Sequence, residues 1–244
     1  MTVGILGAGA FGTSLSIALS TSNKKLILWT QNHGTVKSIQ EVRENRLRLP
    51  GYILPEQIIA TNDIAEIKDC SIVLIAVPMQ QLRSLVEMHG SILKGKILVA
   101  CCKGFEVSSG LGPTAILEIA SEKTAVLTGP SFASDLASGF PTALTIASKV
   151  EGLAKYIQKE LGTEILRLYW SNDPIGAELG GALKNVIAIG CGVTIGAGYG
   201  SSSRAALMTR GYSEIVNIAP FFGAKPETLF GLSGLGDLSL TCMS

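Results

Sequence analysis

The chain has 244 residues, with 20 lysines and arginines against 19 aspartates and glutamates, and it is 47% hydrophobic but only 16% charged. A net charge of +1 offers no field for steering onto nucleic acid or an anionic membrane surface. Low charge with high apolarity excludes disorder, and the length serves one or two domains at about 150 residues each.

The five cysteines form no Cys-x-x-Cys pair and there are only two histidines. Neither a disulfide framework nor a Cys/His metal site is expected, and reduced, mostly buried thiols in the cytoplasm are. No apolar run reaches the roughly 18 residues a membrane span needs. No basic leader precedes the first strand-like run, so no signal peptide is expected. The 28 glycines follow no Gly-X-Y period and point to tight turns and close backbone approaches.

In chain order, Val3–Leu6 is a short apolar run followed at once by glycines and reads as a strand. Residues 13–21 carry Leu15, Ala18 and Leu19 on one helical face, and Leu26–Trp29 is a second strand. Residues 72–77 (IVLIAV) are apolar throughout and end at Pro78, the pattern of an inner strand in a parallel sheet. Residues 97–101, 124–127, 142–147 and 165–169 read as further strands, with helical stretches over 79–93, 111–121 and 151–161. Repeated βα units imply a mostly parallel sheet with helices on both faces. After Ser171 the texture is helical only. Asn172-Asp173-Pro174 starts a long Gly/Ala/Ile-rich helix over 174–197, followed by helices over 202–222 and 226–229. The expected division is a dinucleotide-binding domain over 1–171 and an all-helical substrate domain over 172–244.

Gly7-Ala8-Gly9-Ala10-Phe11-Gly12 is G-x-G-x-x-G placed after the first strand and at the start of the first helix, the context of a Rossmann-type fingerprint. Gly7 permits the tight turn, Gly9 lets the backbone approach a pyrophosphate, and Gly12 lets helix and strand pack closely. An acidic residue about 20 positions further on would hold the ribose of NAD. The second strand instead ends in Trp29-Thr30-Gln31-Asn32-His33, without a carboxylate or an arginine. The residues leave NAD and NADP undecided.

Lys184 lies on one i, i+4 row with Gly176, Gly180 and Ala188, where small neighbours allow another domain or a ligand to approach closely. Lys103 follows the strand over 97–101, Gly129-Pro130-Ser131-Phe132-Ala133 follows the strand over 124–127, and Val77-Pro78 ends another. In an open parallel sheet ligands bind outside the carboxyl ends of strands, so these loops and the glycine loop should converge on one edge.

GAGAFGT at 7–13, VP at 77–78, KG at 103–104, GPSFA at 129–133, GGALKNVIAIG at 180–190, ALMTRG at 206–211 and GLGDLSLTC at 234–242 stand in one order. Over essentially the whole chain they resemble the NAD(P)-dependent glycerol-3-phosphate dehydrogenases of the bacterial type. The resemblance implies reduction of dihydroxyacetone phosphate to sn-glycerol 3-phosphate, a precursor of glycerophospholipids. It implies Lys184 as the catalytic acid/base, Lys103, Gly129, Ser131 and Asp237 at the substrate, and Gly7, Gly9, Ala10, Phe11, Gly12, Gln31, Lys103 and Ala133 at the cofactor. Ala10 stands where the family commonly has serine, and Gln31 or His33 must serve where the family has a basic residue. The family continues past its GLGDLxLTC block to a Ser-Arg-Asn cluster that holds the substrate phosphate. The sequence here stops at Ser244, so the helical domain is expected to be incomplete. A β-hydroxyacid dehydrogenase of the same two-domain plan and a nucleotide-binding sensor without turnover are the alternatives. The partners expected are a small phosphorylated substrate, no nucleic acid and no membrane span, with a homodimer among the oligomeric states left open.

Overall fold

The computed structural model describes every residue but Asn23. The chain begins β1 (Thr2–Leu6), α1 (Ala10–Ser20), β2 (Lys25–Trp29), α2 (His33–Val42), a small hairpin of β3 (Glu44–Asn45) and β4 (Leu49–Ile53), and β5 (Ile58–Thr61). It continues β6 (Ile72–Ile75), α3 (Leu82–Leu93), β7 (Ile97–Ala100), α4 (Pro113–Leu117), β8 (Thr124–Thr128), α5 (Ala133–Ala137), β9 (Thr142–Ala147), α6 (Leu153–Leu161) and β10 (Leu166–Ser171). The rest of the described chain is helical: α7 (Pro174–Gly196), α8 (Gly200–Ile218), α9 (Pro226–Leu229) and α10 (Asp237–Met243).

Eight strands form one sheet in the order β10-β9-β8-β7-β6-β1-β2-β5, parallel throughout except for the antiparallel β8–β9 pair. From β1 the chain builds outward to β2 and β5, then returns to build the other half from β6. The topological switch therefore lies between β1 and β6, where an open sheet leaves a crevice at its carboxyl edge. Strand alternation sets the two cores. Val3 and Ile5 of β1 with Ile72 and Leu74 of β6 pack against Leu15 and Leu19 of α1. Leu6, Val73 and Ile75 point the other way, onto Leu82 and Val86 of α3 and Ile116 of α4.

α7 joins the two regions. Asp173 caps it, accepting the Gly176 N–H at 2.9 Å through one carboxylate oxygen and the Lys225 N–H at 2.9 Å through the other. A Cβ on Gly176 would lie 2.2 Å from that second oxygen, and one on Gly180 would lie 2.3 Å from the Ser233 carbonyl. The bare glycine row thus lets the turn over Leu232–Gly236 lie directly on the helix. By length and composition α7 is long and apolar enough to cross a membrane, a property its interrupted apolar runs conceal. Here its Glu178 and Lys184 are buried in contacts with other elements.

Several elements differ from expectation. The stretch over 79–93 divides into a 3-10 turn (Met79–Gln81) and α3, and the stretch over 111–121 contracts to α4. The stretch over 202–222 is α8 followed by a 3-10 turn (Ala219–Phe222). The β3–β4 hairpin escapes pattern reading because it is short, mostly exposed and holds Pro50 and Gly51, residues that count against a strand.

Candidate active site

The loop between β1 and α1 rests on the start of the loop after β6. Gly7 has φ +109°, and a Cβ there would meet the Ala76 carbonyl oxygen at 2.5 Å. Gly12 lies beneath the loop, where a Cβ would stand 2.0 Å from the Gly7 oxygen. Gly9 differs from both, because a Cβ there would meet nothing within 4 Å. Its face opens on a cleft of about 950 Å³ whose walls include Gly7, Ala10, Phe11, Gln31 and Val77. α1 begins at Gly9 with no side-chain cap and no acidic residue in its first turn, so its first amide groups are free for an anion. An open cradle above a bare glycine, set against uncapped amides, fits a dinucleotide pyrophosphate.

Gln31 lines the β2 end of this cleft, whereas His33 pairs with the Asn62 side chain. Leu47 and Arg48, from the turn between β3 and β4, line it too. The end of β2 carries no arginine, and the one that lines the cleft comes from a separate element. Lys103 and Ala133 stand outside the lining: Lys103 turns toward Asp237, and Ala133 opens α5, which packs on α1.

The second part of the site is a buried cluster of charges. Lys184 Nζ donates to Asp237 Oδ1 at 2.5 Å and to Thr241 Oγ1 at 2.9 Å. Lys103 Nζ donates to Asp237 Oδ2 at 2.5 Å and to the Gly129 carbonyl at 3.4 Å. Asp237 is 1% exposed and Lys184 7%, so the carboxylate is shared between two ammonium groups almost out of water. Two cations and one anion leave a net positive charge, the balance an anionic ligand would complete. Burial holds the Lys103 ammonium below the ordinary lysine range; Asp237 opposes that shift and the neighbouring Lys184 charge adds to it. The Lys103 stem crosses α7 at Gly181, where a Cβ would lie 3.4 Å from it. Ser131 is half-buried in the loop after β8, whose Pro130 lies 3.5 Å from where Gly236 would carry a Cβ. Lys103, Gly129, Lys184 and Asp237 therefore meet at one place, and Ser131 lies in the loop that bounds it.

Thr241 was not singled out by spacing. Its hydroxyl donates to the Asp237 carbonyl at 2.7 Å and accepts from Lys184, because the i, i+4 step on α10 puts both groups on one face. Glu178 is a second omission. It is buried at the α4–α7 junction, accepts the Thr114 N–H at 2.8 Å, and burial pushes its carboxyl up to about 7. The only sequence signal is a lone acid in a Gly/Ala-rich helix. All five cysteines are free and buried, and burial pushes the Cys102 thiol up to about 12, the behaviour of inert thiols.

Residues 2–154 match the family model described as NAD-dependent glycerol-3-phosphate dehydrogenase N-terminus, and residues 173–244 match its C-terminus. The chain is 52% identical over 246 residues to a protein of Ruegeria sp. named glycerol-3-phosphate dehydrogenase [NAD(P)+], covering 100% of this chain and 77% of that protein. A protein of the same name from Neisseria meningitidis is 41% identical over 247 residues, covering 99% of this chain and 75% of its own length. The crystal structure of glycerol-3-phosphate dehydrogenase from Coxiella burnetii superposes with a TM-score of 0.93 at 34% identity, covering 100% of this chain and 76% of that one.

Proposed function

Because this chain belongs to the NAD-dependent glycerol-3-phosphate dehydrogenase family, we propose that the Lys103–Asp237–Lys184 cluster is its catalytic centre and the cleft above Gly9 its nicotinamide cofactor site. The chain is an NAD(P)-dependent oxidoreductase that interconverts dihydroxyacetone phosphate and sn-glycerol 3-phosphate, a reaction whose usual role is phospholipid supply. The observation that carries the assignment of residues is the single buried carboxylate held between two lysines at the carboxyl edge of the sheet.

Bound in the cleft, the nicotinamide supplies the hydride for C2 of the ketone. Gly7, Gly9, Ala10, Phe11 and Gln31 hold the cofactor, with Gly12 letting α1 come close enough to present its amides. Lys184 is the acid. An ammonium has three donors, and Asp237 and Thr241 take two of them, which leaves one N–H for the substrate carbonyl oxygen. That N–H polarises the carbonyl and delivers the proton as the alkoxide forms. Lys103 places a second cation beside the substrate, with Gly129, whose carbonyl it meets, and Ser131 in the adjoining loop. Asp237 holds both lysines in place and keeps two like charges from separating.

The domain division supporting this reading is 1–171 for the cofactor and 172–244 for the substrate. The partner is a small phosphorylated molecule. Five free thiols favour the cytoplasm.

The test is the oxidation of NADH or NADPH by the purified protein in the presence of dihydroxyacetone phosphate, followed by nicotinamide absorbance. Turnover with dihydroxyacetone phosphate and none with a β-hydroxyacid or its ketone supports the reading. Cofactor binding without any turnover rejects it in favour of a sensor.

A further inference from the structure

The end of the cofactor cleft at β2 has a charge pattern that the adenine ribose would meet. Gln31, Thr30 and Asn32 are neutral there, and Arg48 is the sole charged residue among those lining the cleft. A carboxylate at this place would select NAD by bonding the ribose 2′-hydroxyl and repelling a 2′-phosphate. Nothing in the lining repels one, and one guanidinium is present to attract it.

That guanidinium is free in a way its neighbours are not. Arg43 spends its side chain on the Leu54 and Ile58 carbonyls at 3.1 and 2.9 Å, and Arg46 pairs with Glu44 at 3.3 Å. Among the described residues Arg48 makes no ion pair and no side-chain hydrogen bond. Its backbone, in contrast, is fixed. The Arg48 N–H donates to the Asn45 carbonyl at 3.2 Å and to Asn45 Oδ1 at 3.3 Å. Asn45 is wholly buried, and its Nδ2 donates to the Ala8 carbonyl of the glycine loop at 2.9 Å and to Thr13 Oγ1 of α1 at 2.8 Å. One buried amide thus ties the root of Arg48 to the loop that would carry the pyrophosphate. The exposed fork is left free to reach a ligand in the cleft.

We propose that Arg48, presented by the β3–β4 turn and anchored through Asn45, is the ligand for a 2′-phosphate on the cofactor, so that the chain discriminates in favour of NADP(H) over NAD(H). The inference rests on the reading of the cleft as a nicotinamide cofactor site and adds the choice between the two cofactors. A planar guanidinium matches a phosphate with two parallel N–H donors, while a ribose hydroxyl offers it no charge to hold. The discrimination is therefore mostly one side chain's contribution, and it is sensitive to salt because the arginine is exposed.

The experiment is a binding titration of the full chain, followed by intrinsic protein fluorescence, with NADPH, NADH, 2′,5′-ADP and 5′-ADP. The wild type should bind NADPH more tightly than NADH, and 2′,5′-ADP more tightly than 5′-ADP, by about tenfold or more. Arg48→Gln should bring both ratios close to one while leaving the NADH Kd within about twofold, and Arg48→Lys should retain part of the ratio. Added salt should weaken NADPH but not NADH in the wild type. Equal affinities in the wild type, or ratios that Arg48→Gln does not change, overturn the assignment of Arg48. If dihydroxyacetone phosphate is still reduced in that case, the functional reading stands without it. Binding of neither nicotinamide overturns both.

Discussion

The two halves of the site are built in opposite ways. The phosphate cradle of the cofactor cleft is made by contiguous chain: a strand end, three residues of loop and the first turn of a helix, with backbone amides as its working groups. The charge cluster is assembled from the loops after β7 and β8, α7 and α10, and its working groups are two lysines that share one buried carboxylate. The first half fails by steric intrusion and the second by charge imbalance. Substitutions in the cleft should therefore separate binding from folding, whereas substitutions in the cluster should affect chemistry and stability together.

The largest expected effect is at Lys184. Lys184→Ala removes the proposed acid and leaves Asp237 only Lys103 as a partner. The kcat should fall by about 10²–10⁴, with the cofactor Kd changed little. Steady-state kinetics beside a cofactor titration read both. A normal kcat would move the acid role away from the cluster. Asp237→Asn should be costlier to the fold than Lys184→Ala, because it leaves the buried Lys184 and the half-buried Lys103 facing each other without their anion, a loss of about 3 kcal/mol in denaturant unfolding.

The glycine loop gives the sharper contrast within one motif. A Cβ on Gly9 meets open cleft, while one on Gly12 meets the Gly7 oxygen at 2.0 Å. Gly9→Val should leave the Tm near the wild-type value and abolish nicotinamide binding. Gly12→Ala should destabilise by about 1–3 kcal/mol, because backbone must move to admit one methyl. Equal Tm losses in the two variants would mean that the cleft above Gly9 is closed in solution.

Legibility follows the same division. Gly7, Gly9 and Gly12 are readable from spacing because the turn, the close approach and the helix start all lie in six consecutive residues. The inner strands are readable because burial on both faces leaves residues 72–75 uniformly apolar. Lys184 stands out from its Gly/Ala row and Lys103 from its place after a strand, but their roles and Asp237 come from resemblance to a family, since no spacing in the chain says that residues 103, 184 and 237 meet. Thr241 and Glu178 were not legible, as each gains its meaning from a partner on another element. Arg48 lies in a hairpin whose Pro50 and Gly51 hide it from strand patterns. The bare row at Gly176 and Gly180 is legible as a place of close approach, though not what approaches it. It admits the turn over 232–236 and the cap of α7, while the glycine that touches the active-site lysine stem is Gly181.

Glu178 tests the junction between the halves through pH. Its folded carboxyl is raised from 4.5 to about 7 by burial, so the folded state holds a proton that the unfolded chain releases between those values. Stability should therefore fall as pH rises through that window and be flat below it, a change of about 1–3 kcal/mol. Glu178→Gln keeps an oxygen for the Thr114 N–H and cannot ionise, so its unfolding free energy should lose this slope. A slope that persists in the variant would assign the pH dependence to another group.

The smallest effect expected is at Thr241, and it separates positioning from packing. The hydroxyl gives its proton to the Asp237 carbonyl and accepts one from Lys184, so it fixes where the lysine's remaining donor points. Thr241→Val preserves shape and removes the hydroxyl, both as acceptor from Lys184 and as donor to the Asp237 carbonyl. A hydrogen bond from a charged donor contributes about 1.5–3 kcal/mol, and part of it is recovered when Lys184 leans further on Asp237. The kcat should thus fall by about 5–20-fold with KM and cofactor Kd nearly constant. Thr241→Ser, which restores the hydroxyl without the methyl, should return most of the rate. If serine fails where the isosteric valine succeeds, the residue serves packing against α7 and the orientation of Lys184 rests on Asp237 alone.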